Sequence, residues 1–285
     1  MAAPNKASRH CTRPRKNISK LEIAFLDTEK RVDDEPPEED AMNKINRWFP
    51  ISLLLMLAAC TLKPQFINHP APDMPVTFDV FTNAECPAGT SDKPCGADTP
   101  LAGFGCNEIL IPSNLMGGLE PDYPIAICQI DLRAAALTPN IESEIERGEF
   151  ISYLGGLSGS YIRYVVFQNG EFRLLKTKDE FQNVYAPIES PEEALSYVLA
   201  VTRYSAAYGL EYDPSMKYEV GTLEDTHVTS ESDGYLLHLY YDQFYGCGPH
   251  WTSAVDVHVS FEGDIKETAQ TQVFRDPNMD EVCVD

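Results

Sequence analysis

The stretch YIRYVVFQNGEFRLLK at positions 161–176 decides the fold class. Two β-rich runs flank Asn169-Gly170, the dipeptide most typical of a two-residue hairpin turn. A turn of that length pairs the two runs so that alternate apolar side chains share one face. We predict that this face is core, formed by Val165, Phe167, Phe172 and Leu174.

Two helix starts follow the hairpin, at Thr177 and Ser190. Each has a glutamate three residues later, the spacing of a capping box, and Pro191 suits the first helical position of the second helix. The second helix is predicted to be long and to end by Gly209. Its predicted buried side has helical spacing: Ala194, Leu195, Val198, Leu199 and Thr202.

Strands are predicted after this helix, at 216–220, 225–229, 235–241, 254–261 and 265–273. The clearest has an alternating apolar face, made of Val255, Val257, Val259 and Phe261. Further strands are expected at 76–81 and 125–130. The predicted fold class is α+β: an antiparallel β-sheet meander packed by one long helix over residues 156–285, behind a disulfide-stapled, Cys-rich loop and strand region at 76–155.

Cysteine usage favours an oxidising compartment, because six cysteines lie beyond residue 60: Cys86, Cys95, Cys106, Cys128, Cys247 and Cys283. Their even number predicts three disulfides, and local closure favours Cys247 with Cys283. Within 86–128 the connectivity stays open, with Cys86–Cys95 and Cys106–Cys128 preferred. Zinc on cysteine is disfavoured because no two of them are closer than nine positions.

An apolar run at 49–59 follows Lys44 and Arg47 and ends in Leu57-Ala58-Ala59-Cys60. It is too short to span a bilayer but suits the core of a secretory signal. The four-residue ending resembles the lipobox of bacterial lipoproteins. That resemblance implies a signal peptide at 42–59, lipidation of the Cys60 thiol, and cleavage that makes Cys60 the mature N-terminus.

The segments around this signal carry further expectations. Residues 1–41 are predicted to be a disordered mixed-charge extension, or to precede a true start at Met42. Residues 60–75, which contain four prolines, are predicted to form an extended tether. Thr61 after the lipidated cysteine resembles the outer-membrane sorting class. The predicted location is therefore the cell envelope, lipid-anchored at the outer membrane and facing the periplasm or the exterior.

The charge balance excludes nucleic acid as a partner. The chain has 22 basic and 44 acidic side chains, a formal net charge of −22, whereas phosphate backbones are bound by clustered Lys and Arg. The predicted partners are the membrane, through the lipid anchor, and an envelope protein or a small-molecule ligand. No cofactor and no catalytic residue is predicted, because phosphate-loop, nucleophile-elbow and zinc-protease motifs are absent from the sequence.

A second resemblance covers the C-terminal part of the chain. The residues from Glu171 through Tyr185–Tyr197, together with Gly246-Cys247-Gly248-Pro249-His250, are similar to bacterial envelope proteins of unassigned activity. This resemblance implies no chemistry.

Histidines mark the first candidate site. A two-residue turn at 232–233 or 233–234 places His227 and His238 on the same sheet face, with Asp225 and His258 nearby. Imidazoles grouped in this way can bind zinc or copper. The alternative interpretation is a solvated polar face with no ligand.

Aromatic residues mark the second candidate site, at 240–251. Tyr245, His250 and Trp251 would form a stacking platform for a sugar, a peptide or a partner protein. The favoured alternative is an aromatic plug beside Cys247–Cys283, in which Trp251 is buried.

Two functions follow from these observations. The first is a lipid-anchored envelope protein with a non-catalytic binding or structural role. The alternative is a metal-dependent periplasmic hydrolase that uses the histidine-bearing sheet face.

Overall fold

The computed structural model describes residues 63–84, 99–136, 139–156 and 159–284. The predicted extension, signal peptide and lipidated Cys60 lie outside these residues, as do Cys86 and Cys95. They therefore stay predictions.

The described strands are, in chain order, β1 (Gln65–Ile67), β2 (Glu108–Leu110), β3 (Ile125–Asp131), β4 (Ser152–Leu154), β5 (Ser160–Gln168), β6 (Glu171–Leu175), β7 (Lys217–Tyr218), β8 (Thr222–Glu224), β9 (His227–Ser230), β10 (Gly234–Asp242), β11 (Gly246–Cys247), β12 (Trp251–Ser260), β13 (Ile265–Arg275) and β14 (Cys283–Val284). The described helices are α1 (Asp79–Asn83), α2 (Leu132–Ala135), α3 (Pro139–Glu146), α4 (Lys178–Tyr185) and α5 (Pro191–Val201).

The first sheet is antiparallel and has the order β2-β3-β5-β4, with β6 also paired to β5. The predicted hairpin is confirmed: Val165 lies opposite Leu174, and Phe167 opposite Phe172. Because β3 and β4 both pair with β5, this sheet crosses the predicted boundary between residues 155 and 156.

The second sheet is an antiparallel meander with the order β7-β13-β12-β10-β9. Val255, Val257 and Val259 of β12 are fully buried, as their alternation predicts. Phe261, predicted to extend this apolar face, lies beyond the strand and is 37% exposed, so the buried face ends at Val259. Two small pairs complete the strands, β1 parallel to β8 and β11 antiparallel to β14.

Both predicted capping boxes are confirmed. The Thr177 hydroxyl accepts from the Glu180 amide at 3.2 Å and the Ser190 hydroxyl from the Glu193 amide at 3.1 Å. The two glutamates in turn accept the backbone amides of Lys176 and Glu189. Satisfying these otherwise unpaired donors fixes where α4 and α5 begin.

Helix α5 is shorter than predicted and buried on more than one side. It ends at Val201 instead of near Gly209, because Ser205 already pairs with Tyr240 of the second sheet. Ser196 is fully buried, and its hydroxyl donates to the Leu115 carbonyl at 2.7 Å and accepts from the Gly118 amide at 3.0 Å. The helix is therefore enclosed by the loops before β3 and by both sheets.

The main core joins the two sheets through α4 and α5. It includes Tyr164 and Val166 of β5, Phe181 and Val198 of the helices, and Leu237 of β10. A second cluster covers the opposite face of the first sheet, where Val165, Phe172 and Leu174 pack with Phe81 of α1. The segment predicted as a strand at 76–81 therefore ends in this helix instead.

The predicted fold class, one meander packed by one long helix behind a disulfide-stapled N-terminal region, is wrong. Strand residues predominate in two five-stranded sheets, and the longest described helix has 11 residues. The described disulfides, Cys106–Cys128 and Cys247–Cys283, are two of the preferred pairings, but the second joins C-terminal strands. None of the described helices is both long and apolar enough to cross a bilayer.

Candidate metal centre

His227 and His238 face each other across two neighbouring strands. They are direct partners in the register of β9 and β10, and their rings stack with centroids 5.4 Å apart. The predicted sharing of one sheet face by these two imidazoles is confirmed.

A third imidazole reaches the same place from the predicted tether. Strand β1 runs parallel to β8, pairing Ile67 with Glu224, and the chain then places His69 beside β9. The His69 ring lies 5.1 Å from the ring of His227. The three imidazoles therefore form a row in the order His69, His227, His238.

Glu224 supplies a carboxylate to this row. Its Oε1 lies 3.1 Å from Nε2 of His69 and 3.7 Å from Nδ1 of His227. One oxygen therefore faces two imidazoles from segments more than 150 residues apart, which we name the His69–Glu224–His227 cluster.

Asp225 holds the backbone beneath the cluster. Its fully buried carboxylate accepts from the amides of His69, Gly209 and Leu210 and from the Asn68 side chain. Burial by itself raises the pKa of a carboxyl, but these hydrogen bonds outweigh it and hold the pKa of Asp225 below its usual value. The ionised Asp225 thus fixes the position of the segment after β1 that carries His69.

His238 has a carboxylate partner of its own. Its Nδ1 lies 2.7 Å from Oδ1 of Asp256, which is the cross-strand neighbour of His238 on β12. A carboxylate on one imidazole nitrogen orients the ring and leaves the other nitrogen, Nε2, to meet a ligand or a proton.

The separations within the cluster suit a tetrahedral metal. Zinc binds imidazole nitrogen and carboxylate oxygen at about 2.0 to 2.2 Å, so two ligand atoms in a tetrahedron lie about 3.3 to 3.6 Å apart. The observed separations of 3.1 and 3.7 Å bracket this value. All three ligand atoms lie within 4.8 Å of one another, so one ion can be reached by each.

When no metal is bound, Nδ1 of His227 makes a hydrogen bond that a metal must displace. Its Nδ1 lies 3.2 Å from the backbone carbonyl of Asp225, to which an N–H at that position donates. A metal at Nδ1 replaces this proton, because only a deprotonated ring nitrogen is a ligand. Metal binding therefore competes with protons at this histidine.

The third predicted histidine lies apart from the cluster. His258 faces Leu236 in the register of β10 and β12, and its Nε2 lies 3.3 Å from Asp233 and 3.7 Å from Glu231 at the β9–β10 turn. His258 therefore lies on the predicted sheet face, but it groups with Asp233 and Glu231 and not with His227. Its own group contains one imidazole and two exposed carboxylates.

The predicted aromatic site is partly exposed. Trp251 is half-buried, with the Arg275 guanidinium 5.1 Å from its ring centroid, and Tyr245 is 39% exposed. His250 lies 3.1 Å from the Gln243 carbonyl and 3.0 Å from the Val282 carbonyl, so both ring nitrogens face backbone. The expectation of a buried Trp251 is therefore wrong.

Sequence reasoning missed His69, Glu224 and Asp256. His69 lies in a proline-containing stretch that is typical of a tether, and only the parallel pairing of β1 with β8 brings it to β9. The adjacent β-favouring residues Phe66 and Ile67 are the one local signal of a strand there. Asp256 alternates with the buried valines of β12, which predicts a place on the polar face but not a pairing with His238.

Comparison with known proteins adds no relative to this geometry: no family model, curated protein or solved structure matches the chain.

Proposed function

We propose that this protein is a lipid-anchored envelope protein whose folded part binds a divalent transition metal, zinc or copper. The ligands are Nε2 of His69, Oε1 of Glu224 and Nδ1 of His227. The lipobox resemblance at 57–60 supports the anchor, and the disulfides support export to an oxidising compartment.

The observation that carries the metal assignment is the convergence of two imidazoles and one carboxylate within 4.8 Å. Imidazole and carboxylate together suit zinc and copper, and copper binds such sites more tightly. The site is solvent-accessible, since the three side chains are 31% to 37% exposed. Metal can therefore enter and leave without unfolding of the sheet.

Metal titration of the full chain in detergent tests the assignment. After dialysis against a chelator, isothermal titration with Zn²⁺ or Cu²⁺ should give one ion per chain. His227→Ala and Glu224→Gln should each weaken binding at least about tenfold, in line with the loss of one ligand. His250→Ala is the matched control and should leave affinity unchanged, because both ring nitrogens of His250 face backbone carbonyls.

Two results would contradict the metal assignment. One is the absence of stoichiometric binding at neutral pH. The other is binding that survives both His227→Ala and Glu224→Gln, since that places the ion elsewhere.

The anchor has a separate test. The protein made in cells should partition into detergent and carry an acylated Cys60, detected by mass spectrometry of its N-terminal peptide. Cys60→Ala should leave an unprocessed precursor. Freely soluble wild-type protein that retains Met1 would contradict the anchor while leaving the metal site untouched.

A second candidate function is metal-dependent hydrolysis, and the His238–Asp256 pair is the observation that favours it. Three protein ligands leave a position at which zinc can hold and acidify a water molecule. Asp256 orients His238 beside His227 with Nε2 free of other described partners. Zinc-dependent cleavage of p-nitrophenyl acetate that disappears in His238→Ala, with zinc affinity retained, would favour hydrolysis over binding alone.

A further inference from the structure

A cleft of about 950 Å³ lies on the other side of the second sheet from the histidine cluster. Its walls come from Gly148, residues 150–153, α4, the end of α5 and the loop after it, Tyr241 of β10 and the start of β13. Side chains alternate along a strand, so Tyr241 and His238 face opposite sides of β10. The cleft is therefore distinct from the proposed metal site, and its volume is typical of pockets that hold small organic ligands.

Aromatic rings form much of the cleft wall. Tyr204 and Tyr241 meet edge to face with centroids 6.4 Å apart, and Phe150 and Tyr153, which both pack against Tyr161, line the same cleft. All four rings are partly exposed in the described structure. Exposed aromatic faces offer flat apolar surface to a ligand, and the tyrosine hydroxyls add hydrogen-bonding groups.

Charges of both signs line the same cleft. Asp179, Asp264 and Glu267 supply carboxylates, whereas Lys178 and Arg203 supply cations. Within the described part of the chain, Lys178, Asp179 and Asp264 are exposed and their side chains make no ion pair or hydrogen bond. Their hydrogen-bonding capacity is free for a ligand.

Glu267 and Tyr204 are the two residues of this polar lining that bind each other. The Tyr204 hydroxyl donates to Oε2 of Glu267 at 2.8 Å. Burial, with this hydrogen bond and the charge of Glu267, raises the pKa of Tyr204 to about 12, so the phenol stays neutral. The Arg203 guanidinium lies 5.7 Å from the Tyr241 ring centroid and borders the same wall.

This composition selects among ligand classes. An acyl chain requires a mainly apolar lining, which the carboxylates and cations interrupt. A phosphate-rich ligand meets three carboxylates against two cations. A neutral polyhydroxylated ligand suits the lining, because each hydroxyl both donates and accepts and because sugar C–H faces pack on aromatic rings.

We propose that this cleft is a binding site for a neutral oligosaccharide, with Tyr204 and Tyr241 packing against sugar rings. Asp179, Asp264 and Glu267 accept from the sugar hydroxyls, and Lys178 and Arg203 donate to them. The site acts independently of the metal cluster, which lies on the opposite face of β10.

Isothermal titration of the full chain in detergent tests the site with three soluble probes: cellotetraose, maltotetraose and chitotetraose. At least one should bind with one site per chain. Tyr241→Ala and Glu267→Gln should each weaken that binding about tenfold or more, a factor equivalent to about 1.4 kcal/mol. Thermal unfolding of each variant verifies its fold. If Tyr241→Ala is unstable, the test rests on Glu267→Gln and Asp264→Asn, which preserve side-chain shape and should weaken oligosaccharide binding.

Matched controls separate this site from the rest of the molecule. Tyr212→Ala removes a partly exposed tyrosine that stacks on Tyr218 outside the cleft, and His69→Ala removes a proposed metal ligand. Neither should change oligosaccharide affinity.

Three outcomes overturn the proposal. The first is that none of the three oligosaccharides binds at about 10 mM, well above an ordinary weak affinity of 1 mM. The second is binding that the cleft variants leave unchanged. The third is saturable binding of spermidine that Glu267→Gln abolishes, since this would assign the carboxylates to a cationic ligand.

Discussion

The backbone amide of His69 donates to the buried carboxylate of Asp225 at 3.1 Å, joining residues 156 positions apart. The same carboxylate accepts from Gly209 and Leu210, and its neighbour Glu224 faces the His69 ring. Asp225 therefore links, by hydrogen bonds, the segment after β1 and the loop after α5 to the start of β9. This buried acceptor and the parallel pairing of β1 with β8 together bring the candidate metal ligands into one place.

Asp225→Ala should lower the free energy of unfolding by about 3 kcal/mol or more. The substitution leaves several backbone and side-chain donors without their acceptor in a buried position. Urea unfolding followed by circular dichroism measures the loss. Glu211→Ala, at an exposed acidic residue, is the control and should stay within about 0.5 kcal/mol of the parent; equal effects at the two positions would contradict the anchoring role.

Acid should destabilise the fold through Glu144. Its carboxylate accepts from fully buried Arg163 at 2.9 Å and from Lys176 at 2.6 Å. Burial by itself raises the pKa of Glu144, but these two partners outweigh it and lower the pKa overall. A carboxyl with a lowered folded-state pKa stabilises the protein above its unfolded-state pKa, near 4.3, and this contribution is lost as the pH falls through the folded-state value.

Glu144→Gln tests that dependence. At neutral pH it should destabilise the fold by about 3 kcal/mol, because it leaves the buried Arg163 charge without its carboxylate. The difference from the parent should shrink as the pH falls from about 5 to 2, where the parent carboxyl is itself protonated. Urea unfolding at a series of pH values gives both curves, and a difference that stays constant with pH would refute the assignment.

The parts of the fold that local sequence predicts are those set by neighbouring residues. Asn169-Gly170 fixes the β5–β6 register, and the Thr177 and Ser190 caps fix two helix starts. The burial of α5 could not be read from its spacing, because Ser196 is a buried polar residue satisfied by Leu115 and Gly118, some 80 positions away. The sheet pairing is long-range as well: β5 pairs with β3 and β4 and not with the meander, so the predicted single sheet is two sheets.

The candidate metal site likewise has one part that local sequence predicts and one part that depends on long-range pairing. The pairing of His227 with His238 follows from a short turn, so the sequence predicts it. Alternation likewise places His258 on that face, but the register sets it opposite Leu236, two residues beyond Asp256 on β12, where it meets Asp233. His69 depends on parallel pairing across more than 150 residues, for which periodicity provides no register.

The two described disulfides should differ in their accessibility to reductant. Cys247 and Cys283 are exposed, whereas Cys128 is fully buried and Cys106 is 7% exposed. Reduction requires a thiolate to reach a disulfide sulfur. Brief treatment with dithiothreitol, alkylation and peptide mass mapping should therefore label Cys247 and Cys283 first.

The same mapping in concentrated urea is the control for this difference. Unfolding exposes both pairs, so their labelling rates should approach each other. Early labelling of Cys106 and Cys128 in the native protein would contradict the observed burial.

Trp251 should contribute less to stability than a buried aromatic residue. It is half-buried, and the Arg275 guanidinium covers its ring at 5.1 Å. Truncating a buried aromatic costs about 3 to 5 kcal/mol, whereas a partly exposed cation–π contact adds about 0.5 to 1 kcal/mol to a smaller packing loss. Trp251→Ala should therefore cost about 1 to 2 kcal/mol in urea unfolding, and Phe181→Ala, at a fully buried ring, should cost clearly more.

Because the chain has only one other tryptophan, Trp48, acrylamide quenching in a Trp48→Phe background reports the exposure of Trp251 directly. A loss near that of Phe181→Ala, together with protection of Trp251 from acrylamide, would restore the buried aromatic plug.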